Sequence, residues 1–147
     1  MYIYIHHTLY TRQEPKNTNT EITMIYEIIE GQVIAKSNNY MVADSGGSRH
    51  IIKNEAIRNY ERSFDAQCRI YRDRHIDSRF TLYIDVWHGS SRFDLDNSIK
   101  TVLDCLQYAG AITNDSLCCS IVAHKYVDSK RPRIRYAIEE ESYSLFK

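Results

Sequence analysis

The side chains best suited to chemistry are concentrated in Phe93-Asp94-Leu95-Asp96-Asn97-Ser98-Ile99-Lys100-Thr101-Val102-Leu103-Asp104. Asp94 and Asp96 stand two apart where a loop enters a helical pattern. In extended backbone, side chains at i and i+2 share a face. Two carboxylates held side by side repel unless a proton or cation lies between them, and a hard divalent ion such as Mg2+ favours such oxygen ligands. Lys100 comes one helical turn later, where an ammonium can meet developing negative charge on a phosphate or orient a water. Asn97, Lys100, Asp104 and Gln107 share the helix face turned away from the apolar stripe. The same residues also suit structural work. Asp96 is a good helix N-cap and Asp94 complements the helix dipole. Asp96–Lys100 and Lys100–Asp104 are i,i+4 pairs worth about 0.2–0.5 kcal/mol on a surface. Spacing alone leaves both readings open.

Several elements must position this segment. The β-rich run from Ile22 to Ile29 stops before Gly31 and predicts a strand. Residues 36–49 read as a polar loop holding Asn38, Asn39 and Gly46-Gly47. From about His50 to Tyr71 the spacing predicts a helix, with Ile57, Tyr60, Phe64, Cys68 and Tyr71 as its apolar stripe. Arg58, Arg62, Arg69 and Arg72 form a second stripe, either a solvated face or a phosphate contact. Phe80 to Trp87 alternates as a half-buried strand, and His88 to Arg92 is a loop. A second helix runs from Asn97 to Ala109 on Ile99, Val102, Leu103, Leu106 and Ala109, and Gly110 stops it. Two strands, Leu117 to Val127 and Arg133 to Ile138, follow as a hairpin joined by Asp128-Ser129-Lys130-Arg131-Pro132. The expected architecture is a single α/β (α+β) domain, a β-α-β-α-β-β mixed sheet with two helices packed on it. Residues 1–20 are an N-terminal strand or arm with a short linker, and 21–147 are the domain proper.

Composition narrows the class. The 147 residues are 43% hydrophobic and 26% charged, which suits a globular protein and excludes wholesale disorder. Lys+Arg and Asp+Glu are both 19, so no bulk positive charge advertises nucleic acid. Any such partner must be met by local charge separation. Cys68, Cys105, Cys118 and Cys119 show no CxxC spacing and lie in apolar runs, so they read as buried free thiols in a reducing compartment. The N-terminus lacks a signal-peptide pattern, and no apolar run approaches the roughly 20 residues that cross a bilayer. A soluble, cytoplasmic-type protein without membrane partners is expected.

The order Asp94-Leu95-Asp96-Asn97, Lys100, Asp104, Ala109-Gly110, Asn114-Asp115-Ser116 resembles the RusA family of Holliday-junction resolvases. That family shows a D-L-D-N motif, a lysine one turn on, a further aspartate, an A-G helix end and an acidic turn before the next strand. Residues of about 22 to 140 follow its layout, and Ser37-Asn38-Asn39 is similar to its N-terminal S-N-N loop. The resemblance implies that Asp94, Asp96 and Asp115 are metal-binding catalytic carboxylates and Lys100 a catalytic lysine, with Asn97 and Asp104 supporting them. It further implies Mg2+ (or Mn2+) as cofactor and a bacterial or phage-encoded homodimer in recombination and repair, whose two sites place paired symmetric nicks in a four-way junction. Three features depart from the family pattern. The acidic pair is Asn114-Asp115, the loop before D-L-D-N is His88-Gly89-Ser90-Ser91-Arg92 rather than arginine-rich, and residues 1–20 have no counterpart.

Chain length sets a geometric condition. The helix from Asn97 to Ala109 spans roughly 20 Å, and six extended residues reach about the same distance. Asp115 therefore joins Asp94 only if residues 110–115 run back along the helix, or if it comes from a partner subunit. The candidate DNA contacts are Arg92 and the cluster Lys125, Lys130, Arg131, Arg133 and Arg135, set against Asp128 alone. Residues 49–79 carry a smaller surplus, eight cations against five anions. The leading expectation is a metal-dependent, structure-selective DNA endonuclease. The alternatives are a catalytically inactive dimeric junction binder and a structural or partner-binding protein whose aspartates serve as caps.

Overall fold

The computed structural model describes residues 24–35, 40–53 and 55–141. Residues 1–20 and Ser37-Asn38-Asn39, on which two of the expectations above rest, lie outside the described residues. The main sheet has four strands in the order β1-β6-β4-β5: β1 (Glu27–Glu30), β4 (Phe80–His88), β5 (Cys118–Val127) and β6 (Arg133–Glu140). Strand β4 lies inside it because its alternation gives it two useful faces. Phe80, Leu82, Ile84 and Val86 are buried with the helices, and Thr81, Tyr83 and Trp87 line the opposite face half-covered. Strand β5 pairs parallel to β4 and β6 antiparallel to it, so the sheet is mixed as expected.

Helices α1 (Glu55–Gln67) and α2 (Leu95–Tyr108) pack on one face of this sheet. On α2, Val102, Cys105 and Leu106 are fully buried, and Ile99 and Leu103 pack against them half-covered. Gly110 follows the helix at φ +69, a left-handed backbone that only glycine adopts cheaply. A Cβ there would stand 3.0 Å from the Asp73 Oδ1 atom. This end of α2 is tied down by Asp73, His75 and Ile76, whose N–H groups donate to the carbonyls of Ala109, Gly110 and Ala111.

Three expectations about elements are corrected. The polar loop read over 36–49 contains a hairpin, β2 (Tyr40–Ser45) and β3 (Ser48–Lys53), turned by Gly46 and Gly47 at φ +60 and +84. Two successive positive-φ glycines make the tight turn that matches strand twist, and β-forming residues flank them. His50 to Lys53 therefore belong to a strand, and α1 begins at Glu55 instead of His50. It ends at Gln67, short of Tyr71, because the Glu27 carboxylate takes over the next backbone donors. Glu27 Oε1 accepts from the N–H groups of Arg69 and Ile70 (2.9 Å for the latter), and Oε2 accepts from the Tyr136 hydroxyl at 2.7 Å. The apolar stripe survives, since Ile57, Tyr60, Phe64, Cys68 and Tyr71 are all buried.

Strands β5 and β6 are not a hairpin either. They flank β4 on opposite sides, so residues 128–132 cross over its end. The Asp128 N–H donates to the His88 carbonyl at 2.8 Å, and the Asp128 carboxylate accepts from the N–H groups of Lys130 and Arg131. That turn chemistry, together with the parallel return through α2, decides the topology. Strand β5 is left at the sheet edge with little over either face. Consequently only Cys68 and Cys105 are buried thiols, while Cys118 is half-exposed and Cys119 exposed; all four are free.

Candidate active site

Asp94 is the N-cap of α2, in extended backbone (φ −93, ψ 139). Asp96 lies in the first turn, so the capping position belongs to Asp94 rather than to Asp96. The Asp94 carboxylate makes no capping hydrogen bond of its own, and both carboxylates are exposed. An aspartate at this position normally spends its side chain on the first helical N–H groups. Here it stays available beside a second carboxylate at the positive end of a helix. Lys100 is exposed one turn further along the helix. Asn97 and Asp104 are half-buried on α2, and the Asn97 carbonyl accepts from the Thr101 hydroxyl at 3.2 Å.

The loop entering α2 is held from several sides. Lys125 of β5 donates through Nζ to the Ser91 carbonyl at 3.0 Å, and the Ser90 hydroxyl accepts from the Arg92 N–H at 3.3 Å. His88, fully buried at the end of β4, stacks on the Phe93 ring at 5.1 Å. Its Nε2 lies 3.1 Å from the Ser98 hydroxyl, and Ser98 in turn donates to the Asp94 carbonyl at 2.9 Å. Its Nδ1 lies 2.8 Å from Gln32 Nε2. Burial and the Lys125 charge hold the His88 imidazole below its ordinary value of 6.5, against a smaller opposing pull from Asp94. Sequence reading passed over Gln32, His88 and Ser98. A signal existed for His88, since it continues the buried parity of Phe80, Leu82, Ile84 and Val86.

Asp115 opens a short 3-10 turn (Asp115–Leu117) capped by the Asn114 side chain, which accepts from the Ser116 N–H at 2.8 Å. The Asp115 N–H donates to Gln107 Oε1 at 3.2 Å, next to the last turn of α2. Gln107 lies thirteen residues beyond Asp94, or about 20 Å along the axis. Within one chain, Asp94, Asp96 and Lys100 are together, and Asp115 is at the other end of the helix. Residues 110–115 do not run back along α2. No cluster of three or more possible ligands occurs among the described residues of a single chain.

The basic cluster is less free than its composition implies. Arg131 pairs with Glu30, its Nε 3.1 Å from both carboxylate oxygens. Arg133 bonds Asp128 Oδ2 at 2.9 Å and lies 4.1 Å over the Trp87 ring. Arg133, with the turn N–H groups, holds the Asp128 carboxyl below its usual range. Arg135 pairs with Asp85, whose other oxygen meets His124 Nδ1 at 3.2 Å. Arg92, Lys125 and Lys130 are also exposed at the crossover and the loop.

Residues 30–139 match a family model for an endodeoxyribonuclease, a match that covers most of the chain. The model is described as Endodeoxyribonuclease RusA, and the chain belongs to the RusA family, which acts on Holliday-junction DNA. A search of curated proteins finds no match. Among the described residues, no helix is long and apolar enough to cross a membrane.

Proposed function

We propose that this protein is a divalent-metal-dependent nuclease that resolves four-way DNA junctions by paired symmetric nicks. One observation carries the reading: in a RusA-family chain, the Asp94 carboxylate caps nothing and stands exposed beside Asp96, with Lys100 one turn away. Hard, exposed carboxylate oxygens fit Mg2+ or Mn2+, ions commonly held by one or two carboxylates together with substrate phosphate. Asp94 and Asp96 would hold the ion. When bound, it supplies Lewis-acid polarisation of the scissile phosphate and a lowered pKa for water. Lys100 adds a fixed positive charge opposite the phosphate oxygens, while Asn97 and Asp104 support this helix face. Arg92, Lys125 and Lys130 contact the backbone of the junction arms. Arg131, Arg133 and Arg135, each tied to a carboxylate, contribute mainly to the shape of the crossover.

The protein acts as a homodimer formed along β5. That strand is ten residues long, has no strand on its outer edge among the described residues, and itself carries exposed Ile121, Val122, Tyr126 and Val127. An exposed apolar edge of this length is a template for strand pairing. Antiparallel pairing with a second β5 sets the Cys118 end of one strand against the Val127 end of the other. The Val127 end lies beside His88 and the loop entering α2. The partner subunit's Asp115 is thereby carried toward Asp94 and Asp96, which supplies the third carboxylate in trans.

The test is cleavage of a labelled four-way junction with Mg2+ by the full chain and by Asp94→Asn. Symmetric nicks that disappear in the variant support the reading. Junction binding without cleavage identifies an inactive binder, and neither binding nor cleavage refutes the junction-nuclease reading.

A further inference from the structure

Every proton in the chain of side chains behind Asp94 can be assigned. The Gly89 N–H donates to Gln32 Oε1 at 2.8 Å, which fixes the orientation of the Gln32 amide. One Gln32 Nε2 proton goes to the Val33 carbonyl at 3.0 Å, and the other points to His88 Nδ1. Nδ1 is therefore an acceptor, and the ring proton sits on Nε2. The Ser98 hydroxyl has a single proton, given to the Asp94 carbonyl, so it accepts from His88 Nε2–H. The ordinary helical bond to that carbonyl, from the Ser98 N–H, is long at 3.4 Å. The side-chain bond at 2.9 Å is the shorter hold on the residue that begins the helix.

We propose that His88, acting through Ser98, is a positioning residue of the nuclease, fixing the Asp94 backbone so that its carboxylate is free for the ion. This rests on the metal-nuclease reading above. The chain Gln32–His88–Ser98 links the segment after β1, the end of β4 and the start of α2, the three pieces of backbone that meet behind the carboxylates. His88 also holds the residue before Asp94 by stacking on Phe93. Ordered hydrogen bonding behind a ligand is how such sites keep donor atoms within tolerance of an ion that demands near-ideal geometry.

His88→Ala and Ser98→Ala test this in the full chain. Asp94→Asn serves as the reference, and Phe64→Leu on α1 as a remote core variant. In the metal-free wild type, long-range 1H–15N spectra are expected to show His88 protonated on Nε2. Mn2+ affinity, read by electron paramagnetic resonance without DNA, is expected to fall about 10–100-fold in both the His88 and Ser98 variants. The kcat for junction cleavage falls with it while KM changes little, and Phe64→Leu leaves both readouts intact at comparable thermal stability. Because Ser98→Ala is nearly isosteric, it stays informative if His88→Ala does not fold. Wild-type Mn2+ affinity and kcat in folded Ser98→Ala, alongside their loss in Asp94→Asn, overturn the positioning role alone. Wild-type behaviour of Asp94→Asn itself overturns the metal reading, and the positioning role falls with it.

Discussion

Mixing two inactive subunits offers a demanding test of the site in trans. One Mg2+ holds its ligand oxygens at about 2.1 Å, so two oxygens on the same ion are at most about 4 Å apart, and two adjacent ions extend this to about 8 Å. Asp115 beside Gln107 is separated from Asp94 by about 20 Å of helix. No side-chain rotation closes that gap within one chain. Asp94→Asn and Asp115→Asn homodimers are therefore both expected to be inactive, since each lacks one carboxylate in both sites. In a mixed dimer, one site collects both substitutions and the other collects neither. Random exchange makes about half of the dimers mixed, so about a quarter of wild-type sites are restored. The assay is nicking of a labelled four-way junction, with exchange verified by subunits of different tag mass. Because a mixed dimer has one working site, it is expected to give single nicks rather than paired cuts. Inactivity of a verified mixture refutes the trans arrangement, and full activity of the Asp115→Asn homodimer refutes Asp115 as a ligand.

Other outcomes follow from the same geometry. Glu27→Leu leaves the buried Tyr136 hydroxyl only the weak Cys68 thiol as partner and removes the acceptor of two backbone N–H groups, for an expected loss of about 3–4 kcal/mol by urea unfolding. Glu27→Gln keeps an acceptor for those N–H groups and is expected to cost about 1 kcal/mol. Gly110→Ala forces a side chain into left-handed backbone against Asp73, an expected cost of about 1–2 kcal/mol. The His88 pKa is lowered by folding, so its contribution is complete above 6.5 and is lost as the pH falls from 6.5 toward the folded value. An NMR titration placing His88 at or above 6.5 contradicts that sign. Tyr83, desolvated and bonded to Glu139, is pushed up to about 12, so stability from this pair fades as pH climbs above 10; ultraviolet titration reads it. Lys130→Ala is expected to lower the salt slope of junction affinity by about one, whereas Arg135→Ala acts mainly on thermal stability through Asp85.

Much of the site was legible because helix spacing is a strong signal. The Asp94-Leu95-Asp96-Asn97…Lys100 run, the apolar stripe of α2 and the Gly110 stop all read directly from residue order. Chain pairing was less legible. Nothing local tells Arg133 that its neighbour across the ladder is Trp87 rather than Val127, so the hairpin expected between β5 and β6 gave way to two strands flanking β4. The freedom of the basic cluster was misjudged for the same reason, since Glu30 and Asp85 approach it only through tertiary structure. Glu27 ending α1 was likewise invisible, because its partners lie far along the chain. The β2–β3 hairpin was missed although Gly46-Gly47 signalled a turn, because the polar residues around it outweighed the short β-forming runs.

The position of β1 bears on when the protein becomes able to cut. Among the described residues it pairs with β6 alone, and Glu27 meets Tyr136 across 109 residues. Gln32, the outer anchor behind Asp94, follows β1 by two residues and is delivered only when β1 docks. Contacts that span so much chain form late, because the loop-closure entropy must be met before they return anything. The first turn of α2 can wind early from local sequence, but the backbone behind its carboxylates is fastened last. A partly folded chain thus carries the residues of a nuclease without the fixed geometry of one, and the ability to break DNA arrives with completion of the sheet.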